Sequence, residues 1–353
     1  MSHPKVLDDH VRFRLTDADL PGATPVRAVA LECDRVVPGS RAFQGSDGAW
    51  ELRLPRPPLA RLEYRLSVTR GDTVEIVVDP TNPDTVPTAF GERSELAMPG
   101  YRPPAWLGAP ATPGTLRDLL VAGETAQEVP VSVWSPAGSA DTDPMPMLFV
   151  HDGPEYARLA SLTQYSAAMI ASGALPPHRV ALAEPVHRDA WYSASPQYVR
   201  TIVRAGLGQL REAYAVRSPI VVMGTSLGGL AALLVGLRGA PEVGGVFAQS
   251  GSFFQPRHDG MERSFRYFGR ISRAVAAILD TPSTPNPLQI TMTCGALEEN
   301  ARNNADMAAA LARAGHRVDY REVPDLHNYT AWRDSLDPGL TRLLTTVWAE
   351  GQG

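Results

Sequence analysis

The chain has 353 residues, of which 44% are hydrophobic and 20% charged, and its formal net charge is −5. This composition is typical of a globular protein with one large or two smaller domains. The negative charge and the lack of basic runs argue against a nucleic-acid-binding function. No apolar segment has the length of a membrane span, and the N-terminus lacks the apolar stretch of a signal peptide. We therefore expect a cytoplasmic protein.

The first 79 residues contain short segments in which apolar and polar side chains alternate, with turn signals between them. Val11–Leu15 and Leu62–Val68 are examples. Period-two alternation with regular turns predicts a small antiparallel β-sandwich of the immunoglobulin-like type. From Asp79 to Pro113 the chain changes character and is rich in proline, and Pro99–Pro104 and Ala109–Gly114 are predicted to lack regular structure. The N-terminal domain is accordingly assigned to residues 1–105, including part of this connection.

Residues 106–353 alternate between apolar strands and helical patterns. Pro146–Val150 and Pro219–Met223 are apolar throughout, and the helical pattern Leu227–Leu237 follows the second of them. Apolar strands separated by helices predict a mostly parallel sheet with helices on both faces. In such a sheet the functional loops gather at the carboxyl ends of the strands. The site is therefore expected at that edge.

One strand-to-helix turn carries a specific motif, Gly224-Thr225-Ser226-Leu227-Gly228. A serine with glycines two residues away on either side, between a strand and a helix, is the nucleophile elbow of α/β-hydrolases. The turn is so tight that side chains at the glycine positions would collide with the neighbouring strand and helix. Ser226 is the predicted nucleophile. The alternative is a glycine-rich turn with an incidental serine.

A serine hydroxyl needs a base to take its proton, and in this fold the acid and then the histidine follow the serine along the chain. Three histidines follow Ser226, namely His258, His316 and His327. His258 lies in an irregular stretch, and His316 precedes the last strand, at the wrong end of the sheet. His327 comes just after that strand and before a helix. It is the predicted base.

The carboxylate that orients the histidine is less well determined by position. Glu298 and Glu299 both follow the strand that ends at Gly295, where the acid is expected. Asp325 stands only two residues before His327, which is too close along the chain to reach its ring nitrogen easily. Position alone leaves Glu298 and Glu299 open.

Two backbone N–H groups are expected to stabilise the oxyanion that forms when the serine attacks a carbonyl. One is the amide of Leu227, directly after the nucleophile. The other is expected after the buried strand at Phe149, in the Asp152-Gly153 segment, and Gly153 is the predicted donor. An ordinary turn with a left-handed glycine is an equally valid interpretation of His151-Asp152-Gly153.

With these residues the chain resembles the enterochelin (enterobactin) esterase family, serine hydrolases that open the trilactone ring of catecholate siderophores. The resemblance covers most of the chain and includes Pro99-Gly100-Tyr101, Gln249-Ser250-Gly251-Ser252 and Trp332-Arg333, besides the serine and histidine motifs. It implies an accessory β-domain before the catalytic domain. The family's acid stands in a Gly-x-x-Glu pattern, which implies Glu298 rather than Glu299.

The chain departs from the family's pattern around the predicted pocket. Asp325-Leu326 replaces a Gly-Gly pair, Trp191 replaces a glutamate, and His151 replaces an apolar residue. Because a ferric catecholate is anionic, the resemblance also implies arginines that bind it. The residues predicted to contact substrate are His151, Asp152, Arg188, Trp191 and Arg257.

The resulting hypothesis is a serine esterase that acts on a small-molecule ester or lactone through an acyl-enzyme, without a metal or organic cofactor. No nucleic-acid or membrane partner is expected, and the oligomeric state is left open. Two alternatives keep the same fold. An acyltransferase or cyclase would pass the acyl group to an alcohol or amine in a pocket walled by Trp191, Phe253 and Phe254. A non-catalytic protein would bind a ligand or a partner.

Overall fold

The computed structural model describes residues 3–123 and 128–350, and the chain divides into two compact units. The first unit comprises residues 1–102 together with Pro324–Leu326. The second comprises residues 103–323 and 327–353. No helix in the described part of the chain is long and apolar enough to cross a membrane.

The first unit consists of two antiparallel sheets, with strand orders β1-β2-β5-β4 and β3-β6-β9-β8, and β7 pairs with β6. Its strands are β1 Lys5–Val6, β2 His10–Thr16, β3 Val26–Glu32, β4 Gln44–Ser46, β5 Ala49–Pro55, β6 Arg61–Arg70, β7 Thr73–Val77, β8 Thr85–Thr88 and β9 Gly91–Ala97. The ring of Phe13 in β2 meets that of Tyr64 in β6 at 5.1 Å, so the two sheets share a core. The predicted small β-sandwich is confirmed.

The connection that begins at Asp79 contains regular structure that the sequence did not indicate, because β8 and β9 form a hairpin in its first part. Gly91, the first residue of β9, has a φ of +97°, which favours glycine. Pro87 lies in β8 at the edge of its sheet, where a missing N–H does not interrupt a ladder. The proline-rich segment therefore contains an edge strand as well as a connection.

The tripeptide Pro324–Leu326 belongs to the first unit through contacts with the start of β6. The N–H of Ala60 donates to the carbonyl of Pro324 at 2.6 Å. The wholly buried guanidinium of Arg61 pairs with the carboxylates of Asp325 and Glu95. A buried charge needs such partners, so this segment is fixed within the unit.

The second unit is built on an eight-stranded sheet of order β10-β11-β13-β12-β14-β15-β16-β17. The strands are β10 Thr115–Ala122, β11 Glu128–Ser135, β12 Met145–His151, β13 Arg179–Ala183, β14 Val216–Thr225, β15 Val243–Gln249, β16 Gln289–Gly295 and β17 Arg317–Val323. The pairs β10–β11 and β11–β13 are antiparallel, and the strands from β13 across to β17 run parallel. The carboxyl ends of these six strands consequently share one edge of the sheet.

Helices cover both faces of this sheet. They are α1 Gly153–Leu159, α2 Leu162–Ala171, α3 Arg188–Tyr192, α4 Pro196–Arg200, α5 Leu207–Ala213, α6 Leu227–Gly239, α7 Phe268–Leu279, α8 Ala301–Arg313, α9 Tyr329–Asp334 and α10 Thr341–Glu350. In β12, Met147 and Phe149 point into a core with α6, whereas Leu148 and Val150 point into a second core with α2 and α10. Buried residues on both faces explain why this strand is apolar throughout. The predicted α/β-hydrolase architecture is confirmed.

Candidate active site

Ser226 occupies a sharp turn between the end of β14 and the start of α6. Its φ of 54° and ψ of −123° lie in a region that residues with a side chain adopt only at a cost. Neighbouring backbone groups hold this conformation. Ser226 N–H donates to the carbonyl of Gln249 at 3.0 Å, and Ser226 C=O accepts from the N–H groups of Leu230 and Ser252. The turn leaves the serine side chain half-buried, within reach of a small molecule.

The glycines of the motif stand where a side chain does not fit. A Cβ at Gly224 would lie 2.2 Å from the carbonyl oxygen of Gly228. A Cβ at Gly228 would lie 2.9 Å from the carboxylate of Asp152 and 3.3 Å from Cβ of His151. The first contact is with backbone, and the second is with the loop that follows β12. These contacts agree with the steric argument from the sequence, that the turn has no room for side chains at the two glycine positions.

Glu298 and His327 meet after the two neighbouring strands β16 and β17. Glu298 Oε2 lies 2.8 Å from His327 Nδ1. Glu298 is buried, whereas Glu299 is exposed to solvent. Because an ionised carboxylate can only accept, Nδ1 carries the ring proton, and Nε2 is the nitrogen that can accept one. Of the two glutamates that position had left open, Glu298 is the one that the fold brings to the histidine.

The second oxygen of Glu298 is also held. Oε1 accepts from the hydroxyl of Ser250 at 2.6 Å and from the N–H of Gly295 at 2.8 Å. Burial opposes ionisation of this carboxyl, but the neighbouring His327 and the hydrogen bonds outweigh it and lower its pKa. Glu298 is therefore a carboxylate at neutral pH.

Two residues extend the support behind the Glu298–His327 pair. Trp332 Nε1–H donates to Ser250 Oγ at 2.9 Å, and its ring packs edge-on against that of His327 at 5.0 Å. The Gln249 side-chain amide donates to the carbonyl of Trp332 at 3.0 Å. Gln249 also accepts Ser226 N–H with its backbone carbonyl, so one residue links the elbow to the segment after His327.

The two N–H groups predicted to bind an oxyanion are at the starts of helices. Leu227 is the first residue of α6 and Gly153 the first residue of α1, so neither N–H takes part in its helix ladder. Their preceding strands, β14 and β12, are neighbours in the sheet. The left-handed residue of this loop is Asp152, at a φ of 56°, and not the glycine. Gly153 is required for another reason, since its Cβ would lie 2.4 Å from Cα of Leu182.

His151 does not fit the predicted substrate contact, because its side chain is fully buried. Nδ1 donates to the carbonyl of Met223 at 3.0 Å, and the ring packs against those of Tyr192 and Tyr198. Burial lowers the pKa of the ring to about 4, so it is neutral at physiological pH. His151 thus fills the space behind the elbow, and the prediction of a pocket contact is corrected.

Arg188 and Asp152 form a two-pronged ion pair. Arg188 Nε and Nη2 donate to the two Asp152 oxygens, each at 2.8 Å. The Asp152 side chain is only 1% exposed, so it binds Arg188 and is not accessible to a ligand. The Arg188 side chain remains 35% exposed. Of these two predicted substrate contacts, Arg188 is therefore the one that a ligand can reach. Asp152 offsets part of its positive charge.

The other two predicted contacts differ from each other. Trp191 is buried, and its ring stacks on that of Tyr198 at 5.5 Å, which gives it a packing role. Arg257 is exposed and pairs with Asp306. Trp191 belongs to the same hydrophobic core as Leu227 of the elbow, whereas Arg257 pairs with a carboxylate of α8.

Sequence reasoning gave no role to Ser250, Ser252 or Trp332, although all three lie in segments that carried the family resemblance. Both serines follow the carboxyl end of β15, the edge at which a site was expected. Their position was therefore a usable signal. Their side-chain hydrogen-bond partners could not be inferred, because these partners come from distant parts of the chain.

Comparison with known proteins gives consistent findings. Residues 122–343 match the model of the Esterase family. Over 130 residues the chain is 37% identical to the iron(III) enterobactin esterase of Dickeya dadantii (strain 3937), a match that covers 35% of this chain and only 29% of that protein.

Two solved structures are similar over 99% of this chain and 97% of theirs. The ferric enterobactin esterase of Salmonella typhimurium is 19% identical with a TM-score of 0.79. The enterobactin esterase of Shigella flexneri, solved in the presence of enterobactin, is 19% identical with a TM-score of 0.78. At these identities the two structures establish a shared fold.

Proposed function

Because the chain belongs to the Esterase family, we propose that it hydrolyses an ester or lactone through an acyl-enzyme on Ser226. The observation that carries this proposal is the 2.8 Å contact between Glu298 and His327 after strands whose carboxyl ends share an edge with the Ser226 elbow. A nucleophile, a base and a carboxylate that orients the base are the parts that this chemistry needs.

In the proposed acylation step, His327 Nε2 takes the proton of Ser226 as its Oγ attacks the carbonyl carbon. The N–H groups of Leu227 and Gly153 stabilise the negative charge on the carbonyl oxygen. The tetrahedral intermediate then collapses, the ester C–O bond breaks, and the protonated histidine gives its proton to the departing alcohol. Glu298 holds the ring and stabilises the imidazolium without itself taking up a proton.

Deacylation repeats these steps with water as the nucleophile. His327 takes a proton from water as its oxygen attacks the acyl carbon, and it returns that proton to Ser226 Oγ as the ester bond to the serine breaks. The products are an acid and the regenerated hydroxyl. No further reactant is needed.

We propose a lactone of the enterobactin type as the substrate class. The support comes from the name of the Dickeya relative and from the enterobactin in whose presence the Shigella enzyme was solved. Arg188 is suited to an anionic substrate, because part of its guanidinium is exposed and its partner Asp152 reaches the elbow at Gly228. Since Asp152 offsets much of this charge, a weakly anionic lactone fits Arg188 better than a highly charged complex.

The proposal is tested by replacing the nucleophile. We expect Ser226→Ala to lower the rate on p-nitrophenyl acetate and on a catecholate trilactone by about 10⁴-fold or more, since the attacking oxygen is removed. Ser139→Ala, in the loop before β12, is the control and should leave both rates unchanged. A Ser226→Ala protein that hydrolyses the acetate as fast as the parent would contradict the mechanism. Trilactone left intact by the parent would contradict only the substrate class.

A further inference from the structure

A second hydroxyl lies beside the nucleophile. Ser252 Oγ is 3.3 Å from Ser226 Oγ, and the Ser252 side chain is buried. The backbones of the two residues are also joined, since Ser252 N–H donates to the carbonyl of Ser226 at 3.0 Å. A buried hydroxyl requires a hydrogen-bond partner, and here that partner is the proposed nucleophile.

The loop that carries Ser252 is held firmly against the elbow. The side-chain amide of Asn304 in α8 forms two hydrogen bonds with the backbone of Gly251. Its oxygen accepts from Gly251 N–H and its nitrogen donates to Gly251 C=O, each at 3.0 Å. A Cβ at Gly251 would lie 2.4 Å from the ring of Phe253, so this position has no room for a side chain. On the elbow, a Cβ at Gly229 would lie 3.2 Å from Cα of Gly251. The position of the Ser252 hydroxyl is therefore set by packed backbone.

The chemistry of the elbow decides which hydroxyl donates. In the proposed reaction the proton of Ser226 goes to His327, so that proton cannot be donated to Ser252. Ser226 Oγ keeps lone pairs, and Ser252 Oγ–H can donate to one of them while another attacks the carbonyl. In the proposed reaction Ser252 is therefore the donor and Ser226 the acceptor.

We propose that Ser252 is a further catalytic residue, whose hydroxyl donates to Ser226 Oγ and stabilises the negative charge on that oxygen as its proton leaves. This inference rests on the proposed function. The same donor acts again in deacylation, when Ser226 Oγ departs from the acyl carbon and regains negative charge before it is protonated. Ser252 keeps its own proton throughout, so it forms and breaks no covalent bond.

The test compares Ser252→Ala with the parent on two p-nitrophenyl esters, the acetate and the butyrate, and on a fluorophosphonate probe of serine nucleophiles. We expect kcat/KM to fall about 10-fold on both esters, less than the 10²–10³-fold typical of an oxyanion donor, because this hydrogen bond is longer. The rate of probe labelling should fall by a similar factor, because the donor acts on the nucleophile and not on any one substrate. KM should stay near the parent value.

Ser166→Ala is the matched control, since Ser166 is also a buried serine, whose hydroxyl donates to His178 at 3.1 Å on another part of the fold. It should lose a hydrogen bond without losing activity. Ser252→Cys places a weaker donor at nearly the same position, so it should lie between the parent and Ser252→Ala. If Ser252→Ala does not fold, as judged by thermal melting, the cysteine variant decides by the same measurements.

An undiminished kcat/KM in Ser252→Ala would overturn the proposal. If Ser252→Ala does not fold, an undiminished kcat/KM in Ser252→Cys would overturn it. So would a loss confined to one of the two esters, which would mark Ser252 as a pocket contact. Activity that persists in Ser226→Ala would instead overturn the proposed function, so failure of the two proposals is distinguishable.

Discussion

The carboxyl group of Glu298 receives hydrogen bonds on both oxygens, from His327 on one side and from Ser250 and Gly295 on the other. This arrangement fixes the plane of the carboxylate and, through it, the ring of His327. It also explains how a buried acid stays ionised. The charge on Glu298 favours the protonated imidazole, which is the form that His327 must take while the oxyanion exists.

Glu298→Gln tests this role. The amide removes the charge and presents an N–H to Nδ1, which favours the wrong tautomer, so kcat should fall about 10⁴-fold. Measurement of kcat with the nitrophenyl ester checks this loss. Glu299→Gln is the control because Glu299 is exposed, and an equal loss in that variant would contradict the assignment of the acid.

Acid titration of stability gives a second readout of the same residue. The pKa of Glu298 is lowered in the folded protein, so its ionisation contributes stability that is present above the unfolded value of about 4.3. That contribution is lost as the pH falls through the folded value. The stability advantage of the parent over Glu298→Gln in urea unfolding should therefore shrink below about pH 4. An advantage that does not change with pH would mean that the charge of Glu298 contributes nothing.

At the scale of single residues, the Gly-x-Ser-x-Gly motif selected Ser226 as the predicted nucleophile, and chain order and strand-end position then selected His327 and the two adjacent glutamates. These arguments apply because the order of serine, acid and histidine along the chain is characteristic of the α/β-hydrolase fold. The pocket residues were harder to predict. Whether His151 faces the pocket or the core depends on Tyr192 and Tyr198, which pack against its ring from a different part of the chain.

At the scale of elements, the two glycines of the elbow differ in how much an alanine at their position should destabilise the protein. A Cβ at Gly224 would meet backbone at 2.2 Å, so we expect Gly224→Ala to destabilise the protein by about 3 kcal/mol or more, if it folds. The Cβ of Gly228→Ala would meet the end of the Asp152 side chain at 2.9 Å, which can shift, so a smaller loss is expected, with a disturbed Asp152–Arg188 pair. Urea unfolding of both variants measures the difference.

Gly208→Ala is the matched control for these substitutions. Gly208 lies in α5, and a Cβ there would meet no atom within 4 Å. Alanine is the better helix former, so this variant should be as stable as the parent or more stable by about 0.5–1 kcal/mol. Equal stability of Gly224→Ala and Gly208→Ala would contradict the steric account of the elbow.

The central strands of the second unit, β12 to β16, were predictable because they are largely apolar and helical patterns separate them along the chain. The hairpin of β8 and β9 was not, since Pro87 and the short alternation in β9 resemble a connection. Only the pairing of β9 with β6 reveals that this segment completes a sheet. A local pattern cannot supply that information, because the two strands are separated along the chain.

For the molecule as a whole, the two-layer β-sandwich and the mostly parallel sheet follow from periodicity alone. What periodicity could not indicate is that Pro324–Leu326, far along the chain, belongs to the first unit. In the sequence Asp325 looked like a loop residue before His327. Its role as a partner of the buried Arg61 depends on a residue more than 260 positions earlier.

The proposed role of Ser226 as the nucleophile of an acyl-enzyme can be tested by locating a covalent adduct. The protein would be labelled with a fluorophosphonate and mapped by peptide mass spectrometry. We predict one adduct per chain, on Ser226, and no adduct in Ser226→Ala or in protein unfolded before labelling. An adduct on Ser252 or on any residue other than Ser226, or no adduct on the folded parent, would contradict this role of Ser226.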